Sequence, residues 1–196
     1  MASSSPSVFI IESLRFGDEK HERFEGRFLA QILHLGGSAA RYVYLRTKKE
    51  LGEVLDQFDK ASYRYLHFSC HGDKTGIELT LDELPIRDLR KLLAPHLARR
   101  RLFFSSCEVA NHRLAKALLR DSDCYSVIGP STKINFDRAA IFWASFYHLM
   151  LRDEAPSMKS DRLAEITGSL QSLFDVHMRY FTASKSAPGG FREVDL

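Results

Sequence analysis

Apolar residues recur along this chain in two rhythms that take turns. Short continuous runs, bounded by polar residues and too brief for helices, predict strands at 7–14 (SVFIIESL), 40–46 (ARYVYLR), 63–70 (YRYLHFSC), 101–107 (RLFFSSC) and 124–131 (CYSVIGPS). Between them the spacing turns helical. Over 17–37, Phe24, Phe28, Leu29, Ile32 and Leu33 fall on one face, and Gly36 and Gly37 end the helix. A second helix over 47–60 opens with Thr47 and Glu50 in the S/T-x-x-E capping arrangement. Further helices are predicted at 85–97, with Pro85 near its start, at 111–121, capped by Asn111, and at 136–153 and 161–181. GIELTLDEL, 76–84, alternates like a short hairpin.

Strands that are apolar throughout, alternating with helices, predict an α/β fold: an open, mainly parallel sheet flanked by helices on both faces. The expected organisation is one domain over 8–183, with loose polar termini at 1–7 and 184–196. No internal repeat or second domain is discernible.

Composition narrows the setting. With 44% hydrophobic and 27% charged residues the chain has the balance of a folded globular domain rather than a disordered one. No apolar run reaches the length of a membrane span, and VFIIESL is too short and too soon followed by charge for a secretion signal, so a cytoplasmic protein with no membrane partner is expected. Three cysteines, Cys70, Cys107 and Cys124, cannot all pair, and each adjoins an apolar run, as reduced thiols do. No C-x-x-C pair accompanies His67 and His71 to complete a tetrahedral site, and a phosphate-loop motif is missing, so neither metal nor cofactor is expected. The net charge of +3 is small, and LARRR at 97–101 reads as a solvated helix end, which leaves nucleic acid a minor alternative.

The chemistry gathers where two strands end. In open parallel sheets the site lies beyond the carboxyl ends of the strands, and His71 and Cys107 each stand at such an end. Side chains alternate along a strand, so His67, Ser69 and His71 share one side, while Phe68 and Cys70 take the other. Cys70 is then a buried small hydrophobe, and the thiol that meets His71 is Cys107. The stretch between them holds a hairpin, a helix and a strand returning parallel. A thiol gains nucleophilicity beside an imidazole or a helix N-terminus, and Cys107 precedes the 111–121 helix by about one turn. Gly72 lets backbone approach closely, and its N–H with that of Cys107 would form an oxyanion hole. Asp73 and Glu108 flank the pair as candidates for binding a basic substrate, or as solvated loop carboxylates. Phe136, Phe142, Trp143, Phe146 and Tyr147 are spaced as the core face of a helix. Cys124 is expected in the core.

LHFSCHGD, the downstream LDEL and IRDL, LFFSSCE, and SVIGPSTKINFDRAAIFWASFYHLML together resemble the CHAT family, caspase-like cysteine peptidases of the caspase, separase and gingipain clan. In that family one strand ends in His-Gly, a second in Ser-Ala-Cys or a close variant, and a third reads Val-Ile-Gly before an aspartate and an aromatic-rich helix. The resemblance spans roughly 60–152. It implies a caspase-like fold, His71 and Cys107 as the catalytic dyad, and Gly72 on the oxyanion side. It also places Asp137 on the family's aspartate, where a carboxylate would favour Arg or Lys before the cut; a helix cap is the alternative for Asp137. The sequence departs from the pattern in three ways. SSCEVAN replaces the Gln-Ala-Cys-x-Gly of caspases, PSTKINFD lacks the tryptophan common after Val-Ile-Gly, and no tetratricopeptide array accompanies the domain.

The function this implies is an intracellular cysteine endopeptidase that cleaves a protein substrate, under control of a regulatory protein partner, as in bacterial antiviral defence or cell-death systems. The alternative is a catalytically inactive caspase-like module that binds a partner.

Overall fold

A computed structural model describes residues 8–61, 63–152 and 158–196; the expected loose N-terminus, 1–7, lies outside them. Strand β1 (Val8–Ser13) is buried along its whole length and sits between two parallel neighbours, β2 (Ala40–Tyr44) and β3 (Tyr65–Asp73). Beyond β3 follow β6 (Arg101–Phe104) and β7 (Ser126–Pro130), still parallel, then β8 (Met178–Ala183) and β9 (Phe191–Val194), both antiparallel. The order is β2-β1-β3-β6-β7-β8-β9, and a hairpin of β4 (Gly76–Glu78) and β5 (Glu83–Pro85) pairs with the end of β3.

Two apolar cores lie on the two faces of the sheet, as fully buried strands require. One packs Phe9, Phe68 and Phe104 against α3 (Lys48–Lys60), α4 (Ile86–Leu93) and α5 (His112–Leu119). The other packs Ile10, Phe103 and Tyr180 against α2 (Glu25–Leu35), α6 (Phe136–Leu151) and α7 (Ser160–Phe174). Local signals act as their chemistry predicts. Thr47 and Glu50 complete a capping box on α3, and the Asn111 side chain accepts from the N–H groups of Arg113 and Leu114 at the start of α5.

Three expectations are corrected. Residues 17–37 do not form one helix: a short α1 (Phe16–Lys20) ends at a turn where Glu22 has a φ of 54°, and α2 starts afresh at Glu25. The turn rotates the buried face of α2 onto Glu25, Gly26, Leu29, Ala30 and Leu33, leaving Phe28 exposed. The helix expected over 161–181 stops at Phe174, where Asp175 adopts a left-handed φ of 51°, and the remaining residues enter the sheet as β8. The tail expected to be loose carries β9, whose pairing with β8 supplies partners for its backbone polar groups.

Candidate active site

The pairing of β3 with β6 sets the site. Tyr65 is level with Arg101 and Phe68 with Phe104, an offset of 36 residues, and the same offset separates His71 from Cys107. Past Phe104 the chain leaves the strand, though the Ser105 N–H still bonds the Phe68 carbonyl at 2.8 Å, so Ser105–Cys107 stay beside the end of β3. His71 and Cys107 both line one cavity of about 650 Å³ at this sheet edge, walled by Ile134, Phe136 and Ala139. The sequence placed the two residues together, and the fold does the same.

His71 is held from behind. Its Nε2 lies 2.7 Å from Oδ2 of Asp18 on α1, and its ring stands edge-on to Phe136, with centroids 5.5 Å apart. Asp18 also accepts from Arg23, at 2.9 Å. Burial acts to raise the Asp18 carboxyl, but the hydrogen bonds from His71 and Arg23 outweigh it and hold the group below its ordinary range. With Nε2–H donating to Asp18, the Nδ1 lone pair is left for another proton.

Cys107 is partly exposed in the loop between β6 and α5. Its Sγ accepts from the N–H of Ile134 at 3.4 Å and donates to the Ile134 carbonyl at 3.5 Å. The thiol therefore rests on the backbone of the β7–α6 connection rather than on the N-terminus of α5, whose first N–H groups are taken by Asn111. Gly72 is where the two strand ends press closest. A Cβ there would lie 2.9 Å from Cβ of Ser106 and 3.5 Å from the carbonyl oxygen of Cys107, so a larger residue would push the two ends apart.

The other predicted residues divide. Asp137 lines the cavity mouth, exposed, in the first turn of α6; the cap position belongs to Asn135. Asp73 turns away from the cavity and closes the β3–β4 turn, accepting from the Thr75 hydroxyl and N–H at 2.6 Å each, which lowers its carboxyl. Glu108, at a φ of 53°, pairs with Lys74 at 3.4 Å outside the cavity lining. Cys70 packs into the opposite core with its thiol 3.2 Å from the Ser106 hydroxyl, although the residue also borders the cavity, and burial pushes the thiol up to about 12. Cys124 is buried and likewise pushed up to about 12. Of the aromatic stripe, Phe142, Trp143, Phe146 and Tyr147 are core, whereas Phe136 leaves it for the cavity.

Sequence reasoning missed the floor of the cavity. There Glu25, from the first turn of α2, accepts from the hydroxyls of Ser69 and, at 3.0 Å, Ser105. Ser105 is also 2.9 Å from Nε2 of the buried His67, whose Nδ1 is 2.9 Å from the Tyr147 hydroxyl. With Glu25 ionised, one arrangement satisfies every group: Tyr147 donates to Nδ1, Nε2–H to Ser105, and Ser105 to Glu25. Burial drives His67 down to about 3, so it is neutral, and pushes Glu25 up to about 8. A second buried carboxyl, Glu12 on β1, accepts from the Gly26 N–H at 2.7 Å and from Tyr42 at 2.7 Å, and stands 3.2 Å from the Ser69 hydroxyl, whose single proton lies between it and Glu25. Asp18 and Glu25 were hidden in a charged stretch, GDEKHERFEG, that looks solvated.

No protein-family model matches this chain, and no curated protein matches it in sequence. Among solved structures it is similar to a secreted C11 cysteine protease from Bacteroides thetaiotaomicron, "iotapain". The TM-score is 0.55 at 13% sequence identity, over 90% of this chain and 66% of that one. The likeness is one of fold, and the fold is the caspase-like α/β sheet.

Proposed function

We propose that this chain is a cysteine peptidase with Cys107 as nucleophile and His71 as its acid–base partner. The observation that carries the proposal is the shared cavity: neighbouring parallel strand ends deliver His71 and Cys107 to it, with His71 fixed through Nε2 by Asp18. Nδ1 takes the thiol proton as Sγ attacks a peptide carbonyl. The N–H groups of Gly72 and Cys107 hold the oxyanion, and the Nδ1 proton then passes to the departing amine. Water, deprotonated by the same nitrogen, hydrolyses the thioester and restores the thiol. Asp18 keeps the ring oriented and stabilises its imidazolium form, the part a carboxylate plays behind a catalytic histidine. The fold shared with a C11 cysteine protease supports this reading.

The substrate is a protein, and Arg or Lys before the cut is the side chain that a cavity lined by carboxyl groups would favour, with Asp137 at its mouth. A regulatory protein partner and a place in a bacterial defence or cell-death system belong to the same proposal, through the resemblance to CHAT sequences. The test is cleavage of a peptide library by wild type and by Cys107→Ala. Turnover in the wild type alone supports a peptidase, whereas equal cleavage by both, or none with any candidate activator, removes that reading.

A second reading, a caspase-like module that binds without cutting, is favoured by one observation: the Cys107 thiol is bonded on both sides to Ile134 rather than to His71. Its signature would be partner binding unchanged by Cys107→Ala.

A further inference from the structure

We propose that Glu25, at the floor of the cavity, is the group that receives the cationic side chain of a ligand, with Asp137 serving only at the rim. The inference deepens the peptidase reading and rests on the cavity assigned there. Glu25 is 4% exposed, yet it is one of the residues that line the cavity. Among the described residues the basic group within 4.0 Å of it is His67, a ring kept neutral by burial. The Ser69 and Ser105 hydroxyls each hydrogen-bond one of its two oxygens and so fix them. A buried carboxyl with no cation beside it stays neutral, and a cation entering through the open side would complete an ion pair with it.

The walls fit an arginine or lysine chain. Phe136, Ile134 and Ala139 offer apolar surface to the aliphatic stem, and a guanidinium or ammonium at its end would reach the carboxylate. The rim is mixed rather than acidic: Lys133 stands beside Asp137, and Arg23 is tied to Asp18. Charge selection therefore falls to the floor. Burial and the nearby Glu12 both push the Glu25 carboxyl up, to about 8, so near neutral pH the empty cavity holds it protonated, and an arriving cation would ionise it.

The test reads binding rather than turnover, on the full chain carrying Cys107→Ala. N-acetyl-arginine methylamide and its uncharged isostere N-acetyl-citrulline methylamide are titrated by calorimetry. The arginine ligand is expected to bind about tenfold or more tighter than citrulline, a preference that Glu25→Gln abolishes and Asp137→Asn leaves largely in place. Circular dichroism of Glu25→Gln confirms that the fold persists, and Ser105→Ala, which removes one donor to the carboxylate, should weaken the same preference in part. Equal binding of the two ligands, no binding of either at millimolar concentration, or loss of the preference in Asp137→Asn alone would overturn the assignment. The outcomes separate the two proposals: arginine binding without any cleavage by wild type keeps Glu25 and removes the peptidase, and cleavage after uncharged residues does the reverse.

Discussion

Asp18 Oδ2 accepts a hydrogen bond from Nε2 of His71 at 2.7 Å, across 53 residues of sequence. The bond reaches from a five-residue helix beyond β1 to the end of the neighbouring strand, and it decides which nitrogen of His71 faces the cavity.

Replacing Asp18 by Asn keeps the size of the side chain but removes the charge behind the ring. The expected result is a fall in kcat of about tenfold to a hundredfold with KM little changed, since positioning is lost and substrate contact is not. Steady-state kinetics check this against the melting temperature. A kcat that stays at the wild-type value would mean that Asp18 only braces the fold.

The thiols should differ in reach. Brief treatment of the native protein with iodoacetamide, followed by peptide mapping, is expected to label Cys107 well before Cys70 and Cys124, both of which are buried and pushed up to about 12. Cys70→Ala should leave turnover intact, while Cys107→Ala abolishes it. Early labelling of Cys70 would contradict its burial.

Burial of Glu25 makes stability depend on pH in a stated direction. Its carboxyl rises from 4.5 to about 8 on folding, so between these values the unfolded chain releases a proton that the folded chain keeps. The stability this contributes is complete below the unfolded value and is lost as pH rises through about 8. Glu25→Gln removes the dependence, so its melting temperature should gain on the wild type between about pH 5 and about pH 9, by several degrees at the upper end. A gap that stays constant with pH would show that the carboxyl is not held neutral.

Gly72→Ala tests the close approach of the two strand ends. A Cβ at 2.9 Å from Ser106 and 3.0 Å from the Gly76 carbonyl must displace one of them. The expected cost is about 1–3 kcal/mol of stability, together with a loss of kcat larger than that of Cys70→Ala. Denaturant unfolding and kinetics measured on the same samples would reveal an unstrained replacement.

The legible parts of this fold were those where the chain's periodicity and its burial agree. Apolar runs marked the parallel strands, and alternation put Cys70 on the far face from His71, because β3 continues through Asp73 and keeps its pleat. The equal offset of the β3–β6 register and of the His71–Cys107 pair is the reason a reading of strand ends put these two residues at one cavity. Asp18 and Glu25 escaped for the opposite reason. They are charged residues buried by a turn at Glu22, and nothing in hydrophobic spacing announces a carboxyl that is inside because a histidine or two serines meet it. The one local hint was Gly26, where a Cβ would come within 3.1 Å of Glu12 and Ile10, a sign that α2 lies tight on β1. β8 and β9 escaped because MRYFTA and FREV are short, mixed runs at the end of a helical stretch.

The row Tyr147–His67–Ser105–Glu25 has a sense of direction, because each internal member both gives and takes one hydrogen bond. When Glu25 gains a proton the sense reverses: Glu25 donates to Ser105, Ser105 to Nε2, and Nδ1–H to the phenol. His67 thereby changes tautomer without changing charge. Occupancy at the cavity floor is thus written into the packing of α6 on the sheet, where the nitrogen shifts of His67 would read it from inside the core.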